Sequence, residues 1–195
     1  MRTLRNKRSP DWNSLFGVAQ GQDGYFSTTQ AAQSGYSRPL LHKHLASGKM
    51  VRARRGIYRL VHFPASDHED LVVLWLWSEQ AGVFSHETAL ALHDLSDVLP
   101  GKVHLTLPAT WRRRRFRVPS GLVLHFADVS DPDRMSFGAV PVTAPLRTLS
   151  DSIEADVAPG LVHQAILQAR RRGLITAADE TRLRSEQGKS RTATQ

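Results

Sequence analysis

The sequence contains no cysteine, and this one absence excludes several kinds of site. Disulfide bonds, thiolate zinc sites, iron–sulfur clusters and cysteine nucleophiles all require the thiol group. Long apolar segments are also lacking. The longest apolar run, residues 71–77, has seven residues, whereas a membrane-spanning helix needs about 20. The first eight residues include four basic ones and no apolar segment follows them, which predicts no secretory signal, no membrane partner and a cytoplasmic location.

Positive charge is concentrated in the first third of the chain. The 195 residues are 41% hydrophobic and 23% charged, which predicts a globular protein of one or two domains. Residues 1–64 contain 11 Lys and Arg but 2 Asp and Glu, a net charge of +9, whereas residues 65–195 contain 15 and 16, a net charge of −1. This asymmetry predicts a module that binds a polyanion, joined to a second segment of different character.

The order of elements in the basic third is that of a winged helix-turn-helix. Asp11 is placed to cap a first helix, residues 27–29 a short second helix, and Ser37 a third helix that ends before Gly48. Two β-prone runs, residues 50–53 and 57–60, then flank a turn that contains glycine. We therefore expect a winged helix over residues 11–62, preceded by a basic flexible arm over residues 1–10.

The remainder of the chain predicts a second domain of mixed composition. Alternating apolar residues favour strands at 102–107, 122–126 and 140–142, and helical spacing favours helices before, between and after them. We expect an α+β domain over residues 67–184 with a small mixed or antiparallel sheet, and a disordered tail over residues 185–195. The predicted fold class is α+β, with an N-terminal winged helix-turn-helix followed by this α+β domain.

The third helix and the hairpin carry the candidate nucleic-acid contacts. A third helix that presents basic side chains is what docking in a major groove requires, and arginines around a projecting turn suit phosphates or a minor groove. The start of the second helix offers free N–H groups to a phosphate. The candidate DNA-binding residues are Thr28, Thr29, Ser37, Arg38, His42, Lys43, Arg52, Arg54, Arg55 and Arg59.

A second basic run in the later part of the chain has two interpretations. It comprises Arg112, Arg113, Arg114 and Arg115. The run is either a second phosphate-contacting loop or a solvated turn between strands.

Neither a metal site nor a catalytic site is predicted. His86 and His93 are seven residues apart on one predicted helix, but there is no His-Glu-x-x-His pattern and no obvious third ligand. Nucleophile-elbow, phosphate-loop and dinucleotide-binding patterns are also lacking from the sequence. We therefore expect no cofactor and no enzymatic activity of the chain's own.

Several segments resemble the AbiEi family of antitoxins. The N-terminal domain of that family is similar to residues 24–31 (GYFSTTQA), 35–38 (GYSR), 48–52 (GKMVR) and 55–59 (RGIYR). Proteins that carry this domain also resemble residues 84–93 (FSHETALALH), 103–108 (VHLTLP) and 140–149 (VPVTAPLRTL). The resemblance covers roughly residues 12–172.

The resemblance implies an antitoxin of a type IV toxin–antitoxin system. Such a protein is expected to bind double-stranded DNA at its own promoter through the winged helix and to repress its operon. It is also expected to counteract a nucleotidyltransferase toxin without forming a stable complex with it. Two other functions remain open from the residues: an RNA-binding or nucleic-acid-processing factor that acts through residues 65–195, and a winged helix that binds an acidic protein.

Overall fold

The chain divides after Gln80 into an N-terminal and a C-terminal unit, residues 1–80 and 81–195. The structure is a computed structural model that describes residues 9–193, with side chains over residues 9–189. Most of the predicted arm, residues 1–10, lies outside the described residues; Ser9 and Pro10 are exposed. No helix within residues 9–193 is long and apolar enough to cross a lipid bilayer.

The N-terminal unit has the element order of a winged helix followed by one more helix. Its elements are α1 (Trp12–Gln20), β1 (Tyr25–Ser27), α2 (Thr28–Gln33), α3 (Arg38–Ala46), β2 (Met50–Arg54), β3 (Ile57–Leu60) and α4 (Glu69–Trp77). The caps expected from the sequence are present: the Asp11 side chain accepts a hydrogen bond from the Ser14 N–H, and Ser37 accepts one from the Leu40 N–H. Ser27 and Gln30 form a reciprocal capping box at the start of α2. The winged helix predicted from the sequence is confirmed.

A three-stranded antiparallel sheet holds this unit together, with strand order β1-β3-β2. The central strand β3 pairs Ile57 with Ser27 of β1 on one side and with Arg54 of β2 on the other. The register shifts between Arg52 and Arg54, so the hairpin bulges just before its turn. Strand β1 was not predicted, because three residues are too few to show an alternating pattern.

The core of the N-terminal unit joins the helices to this sheet. Its largest fully buried side chains are Leu15, Phe26, Leu41 and Met50. Leu41 anchors α3, and Phe26 stacks on Tyr58 across the sheet with ring centroids 5.8 Å apart. Burial of these side chains fixes α3 against the sheet.

Helix α4 belongs to the N-terminal unit, which corrects the predicted domain boundary at residues 62–67. Glu69 in its first turn accepts hydrogen bonds from the Tyr25 hydroxyl at 2.7 Å and from the Arg59 guanidinium at 3.0 Å. Arg59 also donates to the carbonyl oxygens of Phe63 and Pro64, at 2.9 and 3.2 Å. Glu69 therefore joins the start of α4 to β1 and β3, and Arg59 also holds the segment that connects β3 to α4.

Ionisation in this network follows from its hydrogen bonds. The bond from the Tyr25 hydroxyl, with those from the Ser66 N–H and Arg59, lowers the pKa of Glu69 against the opposing effect of burial. Burial and the Glu69 carboxylate raise the pKa of Tyr25 to about 12. At neutral pH Glu69 is therefore ionised, and Tyr25 keeps the proton that it donates.

The C-terminal unit combines a mixed sheet with four helices. Its elements are β4 (Val83–Phe84), α5 (His86–Leu92), β5 (Val103–Leu107), β6 (Leu122–Phe126), β7 (Arg134–Phe137), β8 (Val140–Thr143), α6 (Pro145–Glu154), α7 (Pro159–Arg171) and α8 (Ala177–Ala193), with short 3₁₀ helices at Ala109–Arg113 and Asp131–Asp133. The strand order is β6-β5-β4-β8-β7; β5 and β6 are parallel, as are β4 and β8, and the other pairs are antiparallel. A mixed sheet was one of the two expected forms. The helices pack around Leu90, Leu149, Ile166 and Leu183.

The end of the chain differs from the predicted disordered tail over residues 185–195. Helix α8 continues to Ala193, and residues 194–195 lie outside the described residues. Buried Leu183 anchors the helix, and the Gln187 side chain donates a hydrogen bond to the Pro159 carbonyl oxygen at 2.8 Å. Apart from Ala193, the last residues lack apolar side chains, but they include good helix formers such as Glu186, Gln187 and Lys189.

Two glycines with positive φ allow a controlled test of the core of the N-terminal unit. An added Cβ at Gly24 (φ +85°) would lie 2.5 Å from Phe63 side-chain atoms, whereas at Gly48 (φ +69°) it would meet nothing within 4 Å. We expect Gly48→Ala to lower the free energy of unfolding by about 1–2 kcal/mol through backbone strain alone. Gly24→Ala should cost about 1–3 kcal/mol more because of the overlap. Urea unfolding of both variants measures the difference, and equal losses would contradict the packing described.

The Arg59 network predicts that two arginines of the hairpin differ in their effect on stability. Arg59→Ala should lower the free energy of unfolding by about 1.5–3 kcal/mol, because charge-assisted hydrogen bonds are lost and Glu69 keeps an incompletely paired charge. The matched change Arg55→Ala removes an exposed side chain and should alter it by less than about 0.5 kcal/mol. Thermal or urea unfolding tests this contrast. An Arg59→Ala variant as stable as Arg55→Ala would refute the network.

Candidate nucleic-acid interface

Helix α3 presents its basic side chains to solvent. Arg38, His42 and Lys43 are exposed, while Leu41 of the same helix is 1% exposed and lies in the core. Ser37 is also exposed, and its hydroxyl caps the helix. The helix therefore has one anchored side and a basic outer surface, as docking in a major groove requires.

His44 of the same helix has a structural role. Its ring lies 5.7 Å from the Tyr36 ring, and its side chain is half-buried. Burial, together with the charges of Lys49 and Lys43, lowers its pKa. His44 is therefore neutral at pH 7 and packs beside the core.

The hairpin turn lies directly beside the start of α2. The Thr28 N–H and hydroxyl both donate to the Gly56 carbonyl oxygen, at 2.8 and 3.1 Å. Thr28 therefore holds the turn. The sequence predicted a free N–H at Thr28 that could bind a phosphate, but this N–H already donates to Gly56. Thr29 is exposed. The two hydrogen bonds between Thr28 and Gly56 join the hairpin turn and the start of α2 into one surface.

The arginines of the hairpin fall into two groups. Arg52 and Arg55 are exposed and Arg54 is half-buried. Within residues 9–189, no hydrogen bond or ion pair engages the side chains of Arg52 or Arg55. Arg59 differs from the prediction, because its guanidinium is occupied by Glu69 and by backbone carbonyls, and its side chain is 16% exposed. The sequence missed this because Glu69 is ten residues further along the chain.

A cavity of about 370 Å³ opens beside the turn. Residues of α2, the hairpin turn and the end of α4 line it, including Thr29, Gln33, Arg55 and Trp77. Arg55 and Glu79 supply one charge of each sign to its lining, so the cavity has no excess charge that would favour an anion.

The second basic run is partly used within the C-terminal unit. Arg112 donates to the Phe126 carbonyl oxygen at 3.2 Å, and the Arg114 guanidinium lies 4.1 Å from the centre of the Trp111 ring. Arg113 and Arg115 are exposed. The run therefore has a structural component in Arg112 and Arg114, although all four arginine side chains are exposed.

The structure brings together three histidines that the sequence analysis did not connect. His86 begins α5, His104 lies on β5 and His125 on β6, and one ring nitrogen from each lies within 4.8 Å of the other two. His93, which the sequence paired with His86, instead bonds to the Thr143 carbonyl oxygen at 2.7 Å. The sequence held one indication of this cluster, because His104 and His125 lie within two predicted strands, residues 102–107 and 122–126.

Comparison with known proteins supports the interpretation of the N-terminal unit. Residues 14–61 match the family model described as "Transcriptional regulator, AbiEi antitoxin". The curated proteins gave no match. A solved structure titled "Crystal structure of RV2827C protein from Mycobacterium tuberculosis" covers 93% of this chain and 83% of its own, with 14% identity and a TM-score of 0.46, a likeness too distant to carry an argument.

The matched segment coincides with the structural features just described. It runs from within α1 to the residue after β3, and it contains α3, the hairpin and all ten predicted DNA-binding residues. Over residues 14–61, which include α3 and the hairpin, the chain is therefore similar to transcriptional regulators of the AbiEi antitoxin family.

Proposed function

We propose that this protein is an antitoxin that represses its own operon by binding promoter DNA through the N-terminal winged helix. The observation that carries the proposal is the exposed basic surface of α3, with Arg38, His42 and Lys43 outward and Leu41 in the core. Arginine binds guanine O6 and N7 in the major groove, and lysine or histidine binds bases or phosphates. The contacts proposed for α3 are Arg38, His42 and Lys43, with Ser37 at its start.

The hairpin supplies the second part of the proposed interface. Arg52 and Arg54 lie on β2, and Arg55 lies at the turn, where it lines the same cavity as exposed Thr29. Their proposed role is to hold phosphates, since a two-stranded wing offers only its tip to a groove. The net charge of +9 over residues 1–64 adds attraction for the duplex that does not depend on sequence.

The antitoxic part of the proposal rests on the similarity of residues 14–61 to the AbiEi antitoxin family. The proposed target is a nucleotidyltransferase toxin in the cytoplasm, opposed without a stable complex and through the C-terminal unit. Coexpression tests it: the chain should restore growth to cells that express a nucleotidyltransferase encoded beside it, and affinity capture should recover no toxin. Continued growth arrest would refute the antitoxic role and leave DNA binding to its own test.

The direct test of DNA binding uses the full chain and its own promoter fragment. Fluorescence anisotropy at several salt concentrations, with random duplex DNA and an RNA of the same sequence as competitors, should show preference for the promoter. Typical specific binding exceeds non-specific binding by about 10³–10⁷-fold. Equal competition by random DNA would refute operator recognition. Preferential competition by RNA would favour the RNA-binding alternative.

Arg38 provides a test of base recognition. Arg38→Ala should weaken promoter binding by about 1–3 kcal/mol, and it should narrow the preference over random DNA because a bidentate contact to guanine is lost. Arg38→Lys keeps the positive charge without the two-pronged guanidinium, so it should retain binding to random DNA and still lose specificity. An equal loss on both DNAs would mean that Arg38 contacts phosphate.

The hairpin turn provides a test of phosphate binding. Each phosphate contact adds about 0.9 to the slope of log affinity against log salt. Replacing both Arg54 and Arg55 with Ala should therefore reduce the slope by about one to two units, while the ranking among promoter sequences is kept. As a control, replacing both Arg171 and Arg182 with Ala removes the same amount of charge from exposed positions on α7 and α8. An unchanged slope in the hairpin variant would place the wing away from DNA.

The second basic run, whose four arginines are all exposed, is a further proposed phosphate contact. Arg113 and Arg115 are the candidates, since Arg112 and Arg114 have partners in their own unit. The same salt titration applied to an Arg113→Ala, Arg115→Ala variant decides between a phosphate-contacting loop, which lowers the slope, and a solvated turn, which does not.

A further inference from the structure

The three-histidine cluster of the C-terminal unit has a geometry that the proposed DNA-binding function does not use. His104 Nδ1 lies 3.1 Å from His125 Nε2, and the rings of His86 and His125 stack with centroids 3.6 Å apart. His86 is 7% exposed, while His104 and His125 are half-buried and reachable from solvent. Three imidazole nitrogens converge on one small volume.

We propose that His86, His104 and His125 together bind one divalent transition-metal ion of the Zn²⁺ class. Neutral imidazole is a good ligand for Zn²⁺, Co²⁺, Ni²⁺ and Cu²⁺. Two nitrogen ligands of a tetrahedral zinc ion lie about 3.4 Å apart, because each Zn–N bond is about 2.0–2.1 Å. The 3.1 Å between His104 and His125 nitrogens is near this value.

The sheet places two of the ligands and the start of α5 places the third. In the parallel β5–β6 pair, His104 is opposite Val123 and Thr106 is opposite His125. Because side chains alternate along a strand, His104 and His125 project from the same face of the sheet. His86 follows β4, the other neighbour of β5, and adopts φ +52°, a left-handed conformation that is uncommon outside glycine.

Hydrogen-bonding groups around the cluster engage one ring nitrogen of His104 and one of His86. His104 Nε2 lies 3.1 Å from a Glu87 carboxylate oxygen, so it donates its proton there and leaves Nδ1 for a metal. His86 Nδ1 lies 2.9 Å from Ser85 Oγ, which also accepts a hydrogen bond from Thr106 Oγ1 at 2.7 Å. In the tautomer that protonates Nδ1, this nitrogen donates to Ser85 and leaves Nε2 of His86 for a metal. Such outer hydrogen bonds accompany most metal-binding histidines.

The protonation state of the three histidines at neutral pH favours metal binding. Burial, with the neighbouring histidines and Arg147, lowers the pKa of His86 to about 3. Burial also lowers the pKa of His104, against the opposing effect of Glu87, and the pKa of His125. All three rings are therefore uncharged at pH 7, as a metal requires. The charges that act on the cluster are the Glu87 carboxylate and the cations of Arg147 and Lys102.

Metal binding requires a small change in the ring positions. A single ion cannot lie on the lone pairs of two parallel stacked rings, so His86 and His125 must open from their 15° interplanar angle. The three nitrogens lie within 4.8 Å of one another, and any spacing above about 3.4 Å must also contract toward that value. Three protein ligands leave one position for water or for an atom of another molecule.

The test is Zn²⁺ binding by the full chain, measured by competition with a colorimetric chelator. One Zn²⁺ per chain is expected. Glu87→Gln should weaken binding by about 10–100-fold, and His104→Gln and His125→Gln should weaken it further. His163→Gln changes an exposed histidine on α7 and should have no effect. Wild-type binding no tighter than that of a His104→Gln, His125→Gln double variant would overturn the site, as would an equal loss in His163→Gln.

Co²⁺ gives a second measurement that does not depend on whether the variants fold. Addition of Co²⁺ to the wild-type chain should produce the visible absorption bands of a nitrogen-bound, four-coordinate ion, and Zn²⁺ should remove them. A spectrum that matches hexa-aqua Co²⁺ would refute the proposal.

Discussion

The central strand β3 is the constraint on which the N-terminal unit depends. It pairs with β1 on one side and with β2 on the other, which fixes the hairpin beside the start of α2. One of its residues, Arg59, binds Glu69 and so fixes α4 as well. The same strand contributes Ile57 and Leu60 to the buried set. A change that displaces β3 disturbs the hairpin, α2 and α4 together, and it also disturbs the core cluster of Leu41 and Leu60 that holds α3.

Arginines of similar sequence context have different physical roles in this protein. Arg59 is engaged by the Glu69 carboxylate and by two backbone carbonyl oxygens, so its charge is compensated within the unit. Arg52 and Arg55 are exposed and leave uncompensated charge at the hairpin. The proposed interface thus consists of the cations that folding does not use. This division explains how one hairpin can serve both stability and binding of a polyanion.

Local signals were sufficient to predict the winged helix, whereas long-range contacts decided what was missed. Capping residues Asp11, Ser27 and Ser37 marked the helix starts, because their side chains bond to N–H groups within three residues. The Arg59–Glu69 pair and the histidine cluster depend on tertiary contacts that a single sequence does not specify. Thr28 was assigned to phosphate for the same reason, since its partner Gly56 is 28 residues away.

The central claim is that α3 and the hairpin turn are the surface that meets promoter DNA. The most direct measurement is a titration of promoter DNA into the ¹⁵N-labelled full chain, followed by amide chemical shifts. The account predicts the largest changes at residues 37–43 and 54–56, diminishing as salt is raised, and small changes at Arg59 and Glu69. Changes confined to residues 81–195 would contradict it, because DNA would then bind outside the winged helix.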